Sequence, residues 1–318
     1  MAGHFPFILG TYNSGHDGLT TPPLAEIQKQ MALHEERMGT HFILEVTSEG
    51  IAEGRVSGLP FDVKVLTNIT RDHLDYHGSF KKYSDTKMNF MNRGSSYRLM
   101  PSDFLSVNIW FETMLLGDFN RENIKAAVAV LRYLGVDDRV IASSISRTPS
   151  PPGRLEEIHA GQPFRLFVDY AHTPDGMKAM LTALRSLAAT TSGRLLCLFG
   201  CGGGRDKGKR FKMGSIGSGL ADYLVVTSDN PRNEEPESII REIVRGVSMP
   251  ADSFHVVVDR RVAINEIVAL AEPGDVVVIA GRGHEQAQET AGTFLLLDDK
   301  KEAADAVGRA ANSNKGKK

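Results

Sequence analysis

Between Leu195 and Pro236 the sequence lays out one supersecondary unit that few folds can contain. The apolar run Leu195-Leu196-Cys197-Leu198-Phe199 is short and continuous, as a strand covered on both faces requires. Gly200, Gly202, Gly203 and Gly204 follow, and Arg205, Asp206, Lys207, Lys209 and Arg210 load that loop with charge. A helix is expected from about Met213 to Leu220, then a second buried strand over Tyr223 to Thr227, ending at Asp229-Asn230-Pro231-Arg232. Strand, helix, strand in this order implies a parallel pair joined by a right-handed crossover. Ligands bind such sheets beyond the carboxyl ends of the strands, so Arg205 and Arg232 are expected to face one crevice.

A third wall comes later in the chain. Val276 to Ala280 is another buried strand by the same criterion, and Gly281-Arg282-Gly283-His284-Glu285 leaves its carboxyl end. Arginine forks suit carboxylates, and Asp229 with Glu285 suits an ammonium group, so the constellation reads as an amino-acid pocket. Two other readings stand beside it. One is a solvated charged rim. The other is a phosphate loop, because Gly203 to Lys209 fits G-x-x-x-x-G-K, although Arg210 occupies the place of the metal-binding hydroxyl.

The run from Phe199 to Arg210, with Asp229-Asn-Pro-Arg232 and Gly281-Arg-Gly-His-Glu285, resembles the Mur ligases, and within them the branch that adds meso-diaminopimelate. The resemblance covers almost the whole chain, most strongly 61–91 and 116–300. It implies an ATP-dependent carbon–nitrogen ligase that joins meso-diaminopimelate to a UDP-N-acetylmuramoyl dipeptide during peptidoglycan synthesis in the cytoplasm. It further implies that Arg205, Asn230, Arg232, Gly281 and Glu285 bind the amino acid, beside Asp229 of the same motif. Thr20 and Thr21 match a turn that touches the UDP-sugar peptide. Asn120 and Asn123 are implied at adenine, Arg154 and Asp169 at ribose, and His172 beside the nucleotide. Glu45, His73 and Lys87 correspond to the residues that hold Mg²⁺, Lys87 being the lysine that the family carbamylates. At position 49 the family has His where this chain has Glu49, so the family's substrate contact there is not carried over.

The expected fold is α/β: a truncated central ATPase-type domain over 1–149, a Rossmann-like C-terminal domain over 150–311, and a disordered tail from 312 to 318. The boundary rests on Pro149-Ser150-Pro151-Pro152-Gly153, which forbids a continuing helix. Strands are expected at Phe7 to Leu9, Phe42 to Val46, Asp62 to Leu66, Leu166 to Val168 and Thr293 to Leu297, and Pro23 opens a helix through Met38. Residues 92–114 read as irregular and shortened. Ile124, Val128, Leu131 and Leu134 space out a helix closed by Gly135, for which Asn123 is an alternative N-cap. The family's UDP-binding domain and Gly-Thr-Asn-Gly-Lys-Thr loop have no counterpart in these residues. A second expectation is therefore a truncated or degenerate relative that binds amino acid or nucleotide without catalysis.

Composition narrows the partners. With 37 basic and 39 acidic residues the net charge is -2, which gives no footprint for nucleic acid or a membrane surface. The two cysteines are too few for a disulfide framework or a zinc site, and a reducing compartment suits them.

Overall fold

The structure, a computed structural model, describes residues 19–70 and 73–315, the last four of these by their backbone alone. The strand expected at Phe7 to Leu9, and Arg71 and Asp72 of the histidine-rich motif, lie outside the described residues. Two compact units divide between residues 103 and 104.

The second unit is built on a six-stranded sheet. Across it run Glu156–Glu157, Arg165–Asp169, Val276–Ala280, Leu195–Phe199, Tyr223–Val226 and Phe254–Val256 in that order, parallel except for the first. All five residues of Leu195–Phe199 and of Val276–Ala280 are buried, because helices cover both faces. Leu195, Cys197, Phe199, Val276 and Val278 point to one side and pack with Met177, Met180, Leu184, Met213, Ile239 and Ile243. Leu196, Leu198, Val277 and Ile279 point to the other and meet Ala263, Ile264, Ile267, Ala303 and Ala306. Each such side chain taken fully out of water contributes about 1.5–3 kcal/mol, so this double-sided core dominates the unit's stability.

Local chemistry sets the helix starts. Thr173 accepts from the Gly176 amide and Pro174 occupies the first turn of Pro174–Thr191, while Asp259 accepts from Arg261 and Val262 at the head of Arg260–Leu270. The strand order reverses around Leu195–Phe199, with Val276–Ala280 on one side and Tyr223–Val226 on the other. The loops leaving these three carboxyl ends are the ones that the sequence marks with glycine and charge.

Several expectations need correction. The helix Asp118–Tyr133 starts before Asn123, which lies in its interior, and Gly117 takes the N-cap place. Leu116 and Phe119 pack against the core of the second unit, so that helix belongs with it, ahead of the proline-rich stretch at 149–153. The strand expected at Thr293 to Leu297 is present as Thr293–Leu296, paired with Ala287–Thr290 in a hairpin separate from the main sheet. The last helix, Asp299–Lys315, continues through residues 312–315 of the expected tail.

In the first unit, Leu24–Glu36 is helical with Pro23 as its N-cap, and Val63–Val65 pairs in parallel with Tyr97–Leu99. Residues 92–114, read as irregular, thus supply a strand as well as the turn Pro101–Phe104. Phe42 to Val46 is not a strand. Its Phe42 and Ile43 are exposed, and the Glu45 carbonyl accepts from the Thr21 hydroxyl where a strand would need a ladder partner.

Candidate functional site

Three loops of the second unit meet at main-chain distance. The Gly203 amide donates to the Asn230 carbonyl at 2.9 Å, and a Cβ on Gly203 would overlap the carbonyl oxygen of Pro231. Gly281 has φ +113° and lies so close to Asp229 that a Cβ would stand 2.7 Å from its Oδ2. Only glycine fits at either place. Arg232 Nη1 donates to the Gly203 carbonyl at 2.8 Å. The Gly202 Cβ position is 3.0 Å from that nitrogen and 3.9 Å from Arg205 Cγ, so both arginines flank the same glycine.

Within this frame the polar groups are fixed by one another. Asn230 donates its amide to Glu285 Oε2 at 2.8 Å and accepts from the Glu289 main chain at 2.9 Å. Arg232 takes a left-handed φ of +52°, uncommon for a long side chain, and is held there by its amide on the Glu289 carbonyl and its carbonyl on the Ala291 amide. Its Nε pairs with Glu289 at 3.1 Å. Burial, and then the Asp229 carboxylate, push the Glu285 carboxyl above its ordinary range, while Asn230 and Arg282 pull it back. The result is two acidic groups, Asp229 and Glu285, at the base of a site rimmed by Arg205 and Arg232.

Arg210 resolves the phosphate-loop reading. Its side chain is fully buried, with Nη1 3.0 Å from Glu234 and 3.1 Å from Glu242. Where a phosphate loop needs a hydroxyl and an open cradle of amides, this loop has a buried arginine held by two half-buried carboxylates. The Gly204 amide is itself taken by Glu234. Arg210 bonds hold the Glu234 carboxyl at about 2, far below its usual 4.5.

Next to this site, at the end of Arg165–Asp169, Asp169 accepts from the Leu155 and Ala171 amides at 2.7 Å each. Burial raises its carboxyl despite those bonds. Arg154 lies 4.5 Å above the Tyr170 ring, and the His172 and His284 rings lie 4.8 and 5.6 Å from it. Tyr170, the hub of this cluster, was missed by sequence reasoning because no spacing rule marks a tyrosine at a strand end. The Asn120 side chain is buried and donates to the Leu116 carbonyl, with Asn123 3.5 Å from its oxygen. That bond helps to fix the helix start and uses one of the two N–H donors of the Asn120 amide.

The candidate residues of the first unit are held by other partners. Thr21 is fully buried and its hydroxyl serves Glu45 and Thr47, while Thr20 is exposed. His73 Nδ1 lies 3.0 Å from Glu49, Lys87 Nζ sits 5.1 Å over the Tyr83 ring, and Glu45 is exposed. Among the described residues no three His, Cys, Asp or Glu side chains gather around a common ion position. No described helix is long and apolar enough to cross a membrane.

Comparison with known proteins identifies the family and the fold. Residues 2–104 match the Mur ligase middle domain, and residues 153–283 match the Mur ligase, glutamate ligase domain. The UDP-N-acetylmuramoyl-L-alanyl-D-glutamate--2,6-diaminopimelate ligase of Syntrophomonas wolfei is 36% identical, in an alignment covering 90% of this chain and 68% of that relative. A solved structure of a ligase with that same name superposes with a TM-score of 0.54 at 30% identity, over 90% of this chain and 68% of the other. The MurF ligase of Thermotoga maritima, solved with ADP, superposes at 0.57 and 15% identity over 85% and 66%, a likeness of fold alone.

Proposed function

Since this chain belongs to the Mur ligase family, with the family's middle and C-terminal domains, we propose that it serves the ATP-dependent ligation of meso-diaminopimelate to UDP-N-acetylmuramoyl-L-alanyl-D-glutamate. One observation carries the amino-acid half of this reading: the main-chain convergence of Gly203, Asn230 and Gly281, which sets Asp229 and Glu285 beneath Arg205 and Arg232. Diaminopimelate has an ammonium and a carboxylate at each end. Glu285 and Asp229 offer acceptors to an ammonium, and Arg232 and Arg205 offer forks to a carboxylate. Such charge-assisted bonds in a partly desolvated site contribute on the order of 1.5–3 kcal/mol each.

ATP is the natural co-substrate of such a ligation. Asp169, held on two amides, retains lone pairs for sugar hydroxyls, and the Arg154–Tyr170–His172 cluster offers a flat cationic surface. Phosphorylation of the glutamyl carboxylate creates the leaving group that the amine displaces, so the work of these residues is orientation. The Mg²⁺ expected at Glu45, His73 and Lys87 does not fit the described arrangement, where His73 is paired with Glu49, and no step is assigned to it.

Calorimetric titration of the 1–318 chain with meso-diaminopimelate tests the proposal. Saturable 1:1 binding is expected, and absence of binding up to millimolar ligand refutes the pocket. A second reading of residues 1–318 is amino-acid and nucleotide binding without turnover. Phosphate release with ATP, Mg²⁺, the UDP-muramoyl dipeptide and diaminopimelate separates the two readings.

A further inference from the structure

Arg282 is one of the largest fully buried side chains of the molecule, yet its Nε and Nη1 have no hydrogen-bond partner among the described residues. Nη2 donates to the Leu297 carbonyl at 3.0 Å. Of the neighbouring anions, Asp299 is 3.9 Å away and already bound by both arms of Arg260, at 2.9 and 2.7 Å. That leaves Glu285, whose Oε2 lies 3.6 Å from Arg282 Nε and is fixed by Asn230. A guanidinium buried with idle donors is costly, and a fold keeps one where an anion needs a permanent counter-charge.

We propose that Arg282 is a positioning residue for amino-acid binding: it acts through Glu285, holding that carboxylate ionised and oriented toward the ligand ammonium. The inference rests on the diaminopimelate reading of the pocket. Charge counting supports it. Asp229, Glu285 and Asp299 against Arg260 and Arg282 leave the base of the site with one net negative charge, which a single ammonium neutralises. Without Arg282, two carboxylates would crowd the base opposed by Arg260 alone, already engaged by Asp299, and Glu285 would take a proton in place of the ligand. The groups facing Glu285 are Asp229, the Asn230 amide, Arg282, the Tyr170 hydroxyl and, at longer range, Arg260. Arg282 is the nearest cation among them.

The test is a double-mutant cycle on the 1–318 chain, reading meso-diaminopimelate affinity by calorimetry between about pH 6 and pH 8.5, with thermal melting in parallel. Arg282→Met is expected to weaken binding roughly 10- to 100-fold near pH 6 and by clearly less near pH 8.5, because the acidic limb moves upward. Arg282→Lys retains the charge and is expected within about 5-fold of the parent. In the Glu285→Gln background, Arg282→Met is expected to cost less than about 3-fold. A loss that is equal at every pH, or additive with Glu285→Gln, would show that Arg282 only supports the fold and would overturn the proposal. If Arg282→Met alone does not fold, the lysine variant and the charge-neutral double variant still decide. Failure of the unmodified chain to bind removes the pocket reading itself and this inference with it, an outcome distinct from additivity.

Discussion

Around Asp229 to Arg232 the main chain supplies the walls of a site, whereas in the first unit the candidate side chains come from separate elements: His73 stands at the N-cap of the four-residue helix Leu74–His77, Lys87 lies on Phe80–Asn92, and Glu45 lies outside any helix or strand. In the first place, glycines let three strand ends approach until amide meets carbonyl, and each polar group is held by a neighbour in the same pocket. In the second, His73 is held by Glu49, Thr21 by the main chain of Glu45 and Thr47, and Lys87 by an aromatic face. The difference shows what preorganisation requires. A motif becomes a site when the surrounding backbone over-determines it, and a motif spread over separate elements takes whichever partner is nearest.

The strongest way to break this contrast is to remove the buried ion pair beneath the pocket. Arg260→Ala strips Asp299, at zero exposure, of both its hydrogen-bonded guanidinium arms and leaves only Arg282 at 3.9 Å, and is expected to lower unfolding free energy by about 3–5 kcal/mol in urea titrations. The exposed pair Lys81–Asp85 serves as control, where Lys81→Ala is expected to change stability by less than about 0.5 kcal/mol. Next in size is Gly203→Ala. Its Cβ meets the Pro231 main chain, so relief must come by separating two walls of the pocket. A stability loss of about 1–3 kcal/mol is expected, with a fall in diaminopimelate affinity of about 10-fold or more. Unchanged affinity would show that the loop contact does not shape the site.

A smaller effect has a pH signature. The folded Glu234 carboxyl is depressed to about 2 from 4.5, so its stabilisation is fully present above about pH 4.5 and is lost as pH falls toward about 2. Glu234→Gln is therefore expected to lower stability by about 1 kcal/mol at neutral pH, with the gap closing as the medium is acidified below about pH 4.5. Glu285 behaves in the opposite sense: its carboxyl is raised, so lowering the pH through its folded value favours folding but removes the anion that an ammonium needs. The smallest effect is expected from Glu49→Gln. Its pair with His73 is about one-third exposed on both sides, and the change is expected within about 0.5 kcal/mol by thermal melting. A loss several times larger would mean that the first unit holds a preorganised network after all.

Much of the second unit was legible because its code is short-range. Strands such as Val276–Ala280, buried on both faces, read as continuous apolar runs, and Thr173 with Pro174 marks a helix start. The glycines at 203 and 281 are explained only by their neighbours, Pro231 and Asp229, which lie far away in sequence. Phe42 to Val46 misled for a physical reason. Its composition suits a strand, but strand formation depends on a partner edge, and the local main chain is engaged by Thr21 instead. Arg210, Arg260 and Arg282 are the largest fully buried side chains among the described residues, and nothing in a lone arginine reveals that a carboxylate waits for it across the fold. Asn123 had the composition of a cap but not the position, because the helix had already begun at Asp118.

Discrimination between two ligands tests the pocket most directly. Meso-diaminopimelate and L-lysine differ by one distal carboxylate, and Arg232, anchored on Gly203 and Glu289, is the group assigned to it. Titrating the 1–318 chain with each ligand, and repeating both with Arg232→Met, gives four affinities. The unmodified chain is expected to prefer diaminopimelate by at least about 10-fold, and Arg232→Met is expected to reduce that preference to within about 3-fold with little change for lysine. Equal affinity for the two ligands in the unmodified chain, or a preference that survives Arg232→Met, would contradict the assignment of these converging loops to a diaminopimelate site.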